Sequence, residues 1–351
     1  MSSRQAEREA SVEPPHPRET TDFFGHATAE QTLLTGYRSG RVAHAWLLGG
    51  PLGIGKATLA YRMARFVLAH PDPSAATVQQ ARSLAVAVDD RITRRVAAKS
   101  HSDLLVLERT AGDSGQLRTV ITVDEVRRTI GFYGSTAGEG GWRVCVVDSA
   151  DELKYPEASN ALLKVLEEPP PRSLFLLVSH APGRLLPTIR SRCRRLMLRP
   201  LAPADVAKAA AAALASGASD ANDEDIRKAS AAADGSVARA IALLDGEHLA
   251  LRDRIVELLG KLPVTDARAL HALGDSLERA GNDTFATFVD TVRDWLSARI
   301  TLEAPDTVRL AQLAEVWEKL NRTARDVEVF NLERKPMIFA VFGSLAETAR
   351  R

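Results

Sequence analysis

The chain has 351 residues, 45% of them apolar and 26% charged, with a formal net charge of +1. That is ordinary globular composition over more residues than one hydrophobic core usually holds, so two or three domains are expected. A charge this close to neutral excludes a broad basic surface that neutralises many phosphates, so any contact with DNA or RNA must be local or shared.

No segment approaches the roughly 20 consecutive apolar residues that cross a bilayer, and the amino terminus lacks a basic start followed by an apolar run. A soluble protein of the cytoplasm, without membrane contact, is the expectation. The chain has two cysteines, Cys145 and Cys193. They exclude a disulfide framework and a four-cysteine zinc site, so no zinc is expected and both thiols read as packing residues.

Residues 1–20 are polar and carry Pro14, Pro15 and Pro17 without apolar periodicity, which reads as a disordered tail. From 21 to 200 short apolar runs alternate with helix-period stretches, the pattern of a parallel sheet with crossover helices. The expected strands are Ala45 to Leu48, Leu104 to Leu107, Arg143 to Val147, Leu174 to Val178 and Arg195 to Leu198, each short and apolar as strands buried on both faces are. One helix follows Gly55 with Leu59, Met63, Phe66 and Val67 on a face. Another follows Pro156 with Ala158, Ala161, Leu162, Val165 and Leu166, and stops before Pro169-Pro170-Pro171. Residues 70–100 lack strong periodicity and read as an insertion of short helix and loop. After Pro200 the strand signals vanish. Residues 201–246 read as a compact all-helical domain and 247–351 as a second one; the Ala-rich segment 207–217 reads as packed helix because Ala is the best helix former.

The first motif is Gly50-Pro51-Leu52-Gly53-Ile54-Gly55-Lys56, between an expected strand and an expected helix, the context a phosphate-binding loop requires. Glycines let successive backbone N–H groups turn toward phosphate oxygens, the helix start adds partial positive charge, and Lys56 reaches the terminal phosphates. A Gly-rich turn without ligand is the plainer alternative. Where the pattern calls for a magnesium-ligating hydroxyl after the lysine stands Ala57, with Thr58 one place on and about 100° further around the helix. Magnesium-dependent binding is therefore in question, and no metal ligand is assigned.

The second motif is the apolar run Arg143 to Val147 ending in Asp148, the slot of the magnesium-holding aspartate in P-loop nucleotidases. Ser149 follows, where a glutamate would orient the attacking water. Asp151 or Glu152 could reach in from the next turn, but capping or solvating that turn is the favoured role of both. The third is Ser191-Arg192-Cys193, an arginine presented after the fourth strand, where it could stabilise phosphoryl charge in its own or a neighbour's site. Taken alone, an arginine of this kind defaults to a surface salt bridge.

In order, the loop Gly50 to Lys56, the strand to Asp148, the run Asn160-Ala161-Leu162-Leu163-Lys164-Val165-Leu166-Glu167-Glu168-Pro169-Pro170, Ser179 and Ser191-Arg192-Cys193 resemble the AAA+ subunits of bacterial sliding-clamp loaders. The likeness covers about residues 23–200 and is nearest to the delta-prime family of DNA polymerase III, on His44-Ala45-Trp46-Leu47 and the loop through Ala60. Lys56-Ala57 and Asp148-Ser149 set it apart from the gamma/tau motor subunits. The resemblance implies an AAA+ module followed by a lid and a carboxyl-terminal collar, in an assembly with gamma/tau and delta subunits that places a clamp on primer-template DNA. It implies Arg192 as a finger entering the adjacent motor's ATP site and Ser179 as first sensor. Gly235-Ser236-Val237-Ala238-Arg239 becomes the second-sensor segment, with Arg239 toward nucleotide, ATP or ADP; a surface arginine after a helix-start glycine is as good a reading of those residues alone. Two further readings stay open. One is an independent AAA+ ATPase of DNA replication or repair using Lys56, Asp148 and a displaced carboxylate. The other is a scaffold with a vestigial pocket.

Overall fold

The computed structural model describes residues 15–112, 118–134, 138, 141–215, 221–244, 246–302, 307–330 and 332–350. It falls into two compact units, Met1–Ala242 and Leu243–Arg351. Most of the stretch read as a tail lies outside the described residues. Its end is fixed: Arg65 donates from Nη1 to the Arg18 carbonyl at 2.9 Å and from Nη2 to the Thr20 carbonyl at 2.6 Å.

The first unit runs α1 (Ala27–Arg38), β1 (Ala45–Gly49), α2 (Lys56–Ala69), α3 (Ala76–Gln80), α4 (Arg91–Ala97), β2 (Leu104–Leu107), α5 (Val123–Gly134), β3 (Arg143–Val147), α6 (Glu157–Glu167), β4 (Ser173–Ser179), α7 (Pro187–Arg192), β5 (Arg194–Met197), α8 (Pro203–Leu214) and α9 (Asp223–Ala232), with α10 (Val237–Leu243) closing it. The strands form one five-stranded sheet, order β2-β3-β4-β1-β5, and every adjacent pair is parallel. Helices therefore cover both faces. Trp46, Leu48, Val146 and Leu176 pack under α1 and α2, and Leu47, Cys145, Val147 and Phe175 pack under α5, α6 and α7. Fully burying side chains of this size stabilises by about 1.5–3 kcal/mol each. Leu59, Met63 and Val67 on α2, all fully buried, share one stripe at helical spacing.

β5 departs from the expectation of a strand buried on both faces. Arg194, Arg195 and Met197 are exposed, since β5 is the sheet's edge and two charged residues occupy it. The insertion at 70–100 is tied to the module by hydrogen bonds: Glu30 Oε1 accepts the Leu84 N–H at 2.9 Å, and Arg38 Nε donates to the Val78 carbonyl at 2.9 Å.

The second unit contains α11 (Gly246–Gly260), α12 (Ala267–Arg279), α13 (Asn282–Leu302), α14 (Thr307–Phe330) and α15 (Arg334–Arg350). Its core joins Ile255, Leu273, Phe288, Val292, Leu320 and Ile338 from all five helices. Asp266 caps α12, its carboxylate accepting from the Arg268 and Ala269 N–H groups. No helix among the described residues is long and apolar enough to cross a membrane.

Candidate functional site

Parallel register places Gly49 of β1 beside Ser179 of β4, so the loop leaving β1, the end of β3 and the end of β4 meet at the carboxyl edge of the sheet. Here Gly50, Gly53 and Gly55 take φ of 146°, 74° and 92°. Gly55 in the left-handed region starts α2 directly, and a Cβ on Gly50 would lie 2.5 Å from the Leu198 carbonyl oxygen.

The loop is turned onto the protein itself. Lys56, 2% exposed, donates from Nζ to the carbonyl of Pro51. Burial lowers its pKa to about 8, partly offset by the charges of Asp151 and Asp148. The Gly53 carbonyl accepts the Val237 N–H at 2.9 Å, and a Cβ on Gly53 would meet Ser236 Oγ at 2.2 Å. The segment from Gly235 to Arg239 thus reaches the loop through its backbone. Arg239 places Nη1 3.3 Å from Asp234 Oδ2, with its side chain 16% exposed. On the other side, His26 donates from Nε2 to the Ile54 carbonyl at 2.8 Å, and burial lowers the His26 pKa.

At the end of β3, Asp148 donates its N–H to the Leu107 carbonyl at 2.9 Å, and burial raises the pKa of its carboxyl, with Glu108 adding to the rise and Lys56 opposing it. Ser149 sits in the left-handed region at φ 63° and its Oγ lies 3.2 Å from His180 Nε2. His180, one residue past Ser179, is held by its own N–H, which donates to Asp151 Oδ1 at 2.9 Å. Burial and then the Lys56 charge lower the imidazole pKa to about 4, so the ring is neutral at pH 7. Glu152 pairs with Arg109, Nε to Oε2 at 3.0 Å. Both acidic residues of this turn are committed to local contacts, and a neutral histidine bonds the residue that stands where a catalytic glutamate would. Ser179 is fully buried, and its Oγ has no hydrogen-bond partner among the described residues.

These groups do not fit a magnesium–nucleotide complex poised for hydrolysis. Ala57 offers a methyl, Thr58 lies a further step around the helix, and the lysine is engaged with its own loop. Among the described residues no cluster of three or more His, Cys, Asp or Glu could hold a metal ion. Burial raises both thiol pKa values, Cys193 to about 12, which keeps them unreactive.

Arg192 ends α7. Its Nη1 donates to the Thr188 carbonyl at 3.0 Å and its Nη2 pairs with Glu167 Oε1 at 2.6 Å, the side chain remaining 35% exposed. Of the expected site residues, the structure gathers the loop glycines, Lys56, Asp148, Ser179 and the segment leading to Arg239. Arg192 stands apart on the far end of α7. Sequence reading missed His180, whose role arises only from the adjacency of β3 and β4, and missed Glu167 as the partner of Arg192.

A five-stranded parallel sheet with a glycine loop between its β1 and the following helix, and helical segments behind it, defines a P-loop module of the AAA+ type. The family model described as DNA polymerase III, delta subunit, matches residues 25–202, and the chain belongs to that family. DNA polymerase III subunit delta' of Pseudomonas aeruginosa is 40% identical over 151 residues, 43% of this chain and 42% of that protein. The Escherichia coli subunit of the same name is 30% identical over 229 residues, 65% of this chain and 63% of that protein. DNA polymerase III subunit tau of Bacillus subtilis is 23% identical over 280 residues, 80% of this chain and 46% of that protein. The chain thus spans less than two thirds of these relatives' own lengths. A gamma subunit-related protein of DNA polymerase III from Thermotoga maritima aligns over 91% of this chain and 99% of its own, at 18% identity and a TM-score of 0.45.

Proposed function

We propose that this chain is a delta-prime-type subunit of the DNA polymerase III clamp loader, that it does not hydrolyse ATP, and that it presents Arg192 to the ATP site of a neighbouring motor subunit. The observation that carries the non-hydrolysing part is the Ser149–His180 pair in the place of a catalytic carboxylate, beside a lysine bonded to its own loop. Family membership supports the assembly, with gamma/tau and delta subunits, the sliding clamp and primed DNA as partners in the cytoplasm. In this proposal residues 21–200 are the AAA+ domain, 201–246 the lid and 247–351 the collar. Gly50, Gly53, Gly55, Lys56, Thr58, Asp148, Ser179 and Arg239 are the residues of the inherited nucleotide pocket. Entry of ATP or ADP requires Lys56 to leave the Pro51 carbonyl.

The test uses purified chain alone and then the reconstituted assembly. Alone it is expected to give no ATP turnover above background, and leaving it out of the assembly is expected to abolish clamp loading onto primed DNA. Steady turnover by the isolated chain that Lys56→Ala abolishes would establish the independent ATPase instead.

A further inference from the structure

Charge is unevenly distributed along the first unit. From Glu168 to Asp205 there are seven arginines and no carboxylate in between, in a chain whose net charge is +1. The edge strand β5 lies in the middle of this run. Its pleat sends Arg194 to one face, where the guanidinium stacks over the Trp46 ring at 4.8 Å from the centroid, and Arg195 with Met197 to the other. The ladder continues past the strand, the Leu198 N–H donating to the Gly49 carbonyl at 2.8 Å, so Arg199 follows Arg195 and Met197 in phase. Met197 Sδ and Pro182 Cγ each lie 2.7 Å from where a Cβ on Gly49 would be, which brings the turn Pro182–Arg184 beside Met197. Among the described residues Arg184, Arg195 and Arg199 have no ion-pair partner. Arg195, Met197 and Arg199 are exposed, Met197 to 57%.

We propose that Arg195 and Arg199, with Arg184 beside them, form a binding ledge for the phosphate backbone of primed DNA. Four residues at about 3.3 Å of rise separate the two arginines by about 13 Å. That exceeds the ~3.4 Å axial rise from one phosphate to the next on a strand, so the two guanidiniums reach different phosphates. The planar fork takes two phosphate oxygens at once. Arg192 is not part of the ledge, since it ends α7 and does not lie on β5. The choice of DNA among polyanions rests on the clamp-loader reading; the ledge itself rests on the charge and the edge strand. It is the local contact to which a nearly neutral chain is restricted.

The test measures anisotropy of fluorescein-labelled primer-template DNA with the full chain between 50 and 200 mM salt, roughly the range in which phosphate contacts weaken strongly. Wild type is expected to bind at the low end with a negative slope of log K against log salt. Arg195→Ala/Arg199→Ala should make that slope shallower by about 1.4–1.8, two contacts at ~0.7–0.9 each, while Arg195→Lys/Arg199→Lys keeps most of it. Arg127→Ala/Arg128→Ala, on the α5 pairs with Asp124 and Glu125, should leave it unchanged. No binding by wild type at 50 mM, or equal slopes for wild type and the alanine variant, would overturn the proposal. So would polyglutamate competing as well as DNA, which would mark an acidic protein partner. Co-elution with the motor subunits, measured on the same variants, reports the clamp-loader reading separately.

Discussion

Gly53, Lys56 and His180 decide what the site can do, and each can be tested on the isolated chain. Gly53 has φ 74° and no room for a Cβ beside Ser236 and Ala238. Gly53→Ala is therefore expected to cost about 1–3 kcal/mol by denaturant titration; an unchanged midpoint would mean that the loop does not rest on the Ser236 segment. Lys56 is buried with its pKa lowered to about 8 from the usual 10.5. The unfolded chain thus holds the proton more tightly, so the burden on the fold is full below pH 8 and is shed as pH rises to 10.5. Wild-type stability relative to Lys56→Met is expected to climb by about 3 kcal/mol across that window. A difference that stays flat would place the ammonium in water. For His180 the window is acidic: stability is lost as pH falls from 6.5 toward 4, because the unfolded state takes up the proton first. His180→Gln should flatten that loss when urea unfolding at pH 7 and pH 4.5 is compared. Gly53 and Lys56 were legible in sequence as loop residues, and His180 was not. A histidine after an apolar strand has no spacing signature, and its bond to Ser149 exists because β3 and β4 are neighbours in the sheet. Ala57 and Ser149, by contrast, were legible directly, since a methyl cannot ligate magnesium and a serine hydroxyl is a poor base at neutral pH.

At the scale of elements, α6 and α7 form the unit that carries the candidate finger. Glu167 closes α6 and receives Arg192 from α7 at 2.6 Å, with the two side chains 41% and 35% exposed. An ion pair that open to solvent is worth about 0–1 kcal/mol, so releasing the arginine to a neighbour is inexpensive. Glu167→Gln is accordingly expected to move the thermal midpoint little. A loss above about 2 kcal/mol would mean that the pair is a structural clasp. β2 and β3 could be bounded from sequence to the residue because each is an apolar run between polar breaks. β5 could not: two adjacent arginines followed by apolar residues give no alternation that separates an edge strand from a buried one, and only the strand order decides. The approach of Val237 to Gly53 was likewise hidden, being made by backbone atoms that every sequence shares.

The whole molecule consists of two units with separate cores, one built on both faces of a parallel sheet and one from five helices. The helical core is large enough to stand alone, so residues 247–351 expressed by themselves should show helical circular dichroism and a single cooperative thermal transition. Loss of cooperativity would show that this unit depends on the rest of the chain. Composition foretold the change from sheet to helix after Pro200, because the β-branched runs end where the Ala-rich ones begin. It was silent on where one core stops and the next starts, since both are lined by the same aliphatic residues. At this scale the proposed activity belongs to the assembly. The most direct measurement is ATP turnover, stimulated by clamp and primed DNA, in a complex reconstituted with motor and delta subunits and either wild type or Arg192→Ala. Intact assembly is expected, with turnover reduced about 10³-fold at the site that Arg192 enters, as loss of an arginine finger does. Turnover at that site equal to wild type, in a complex of unchanged composition, would contradict it.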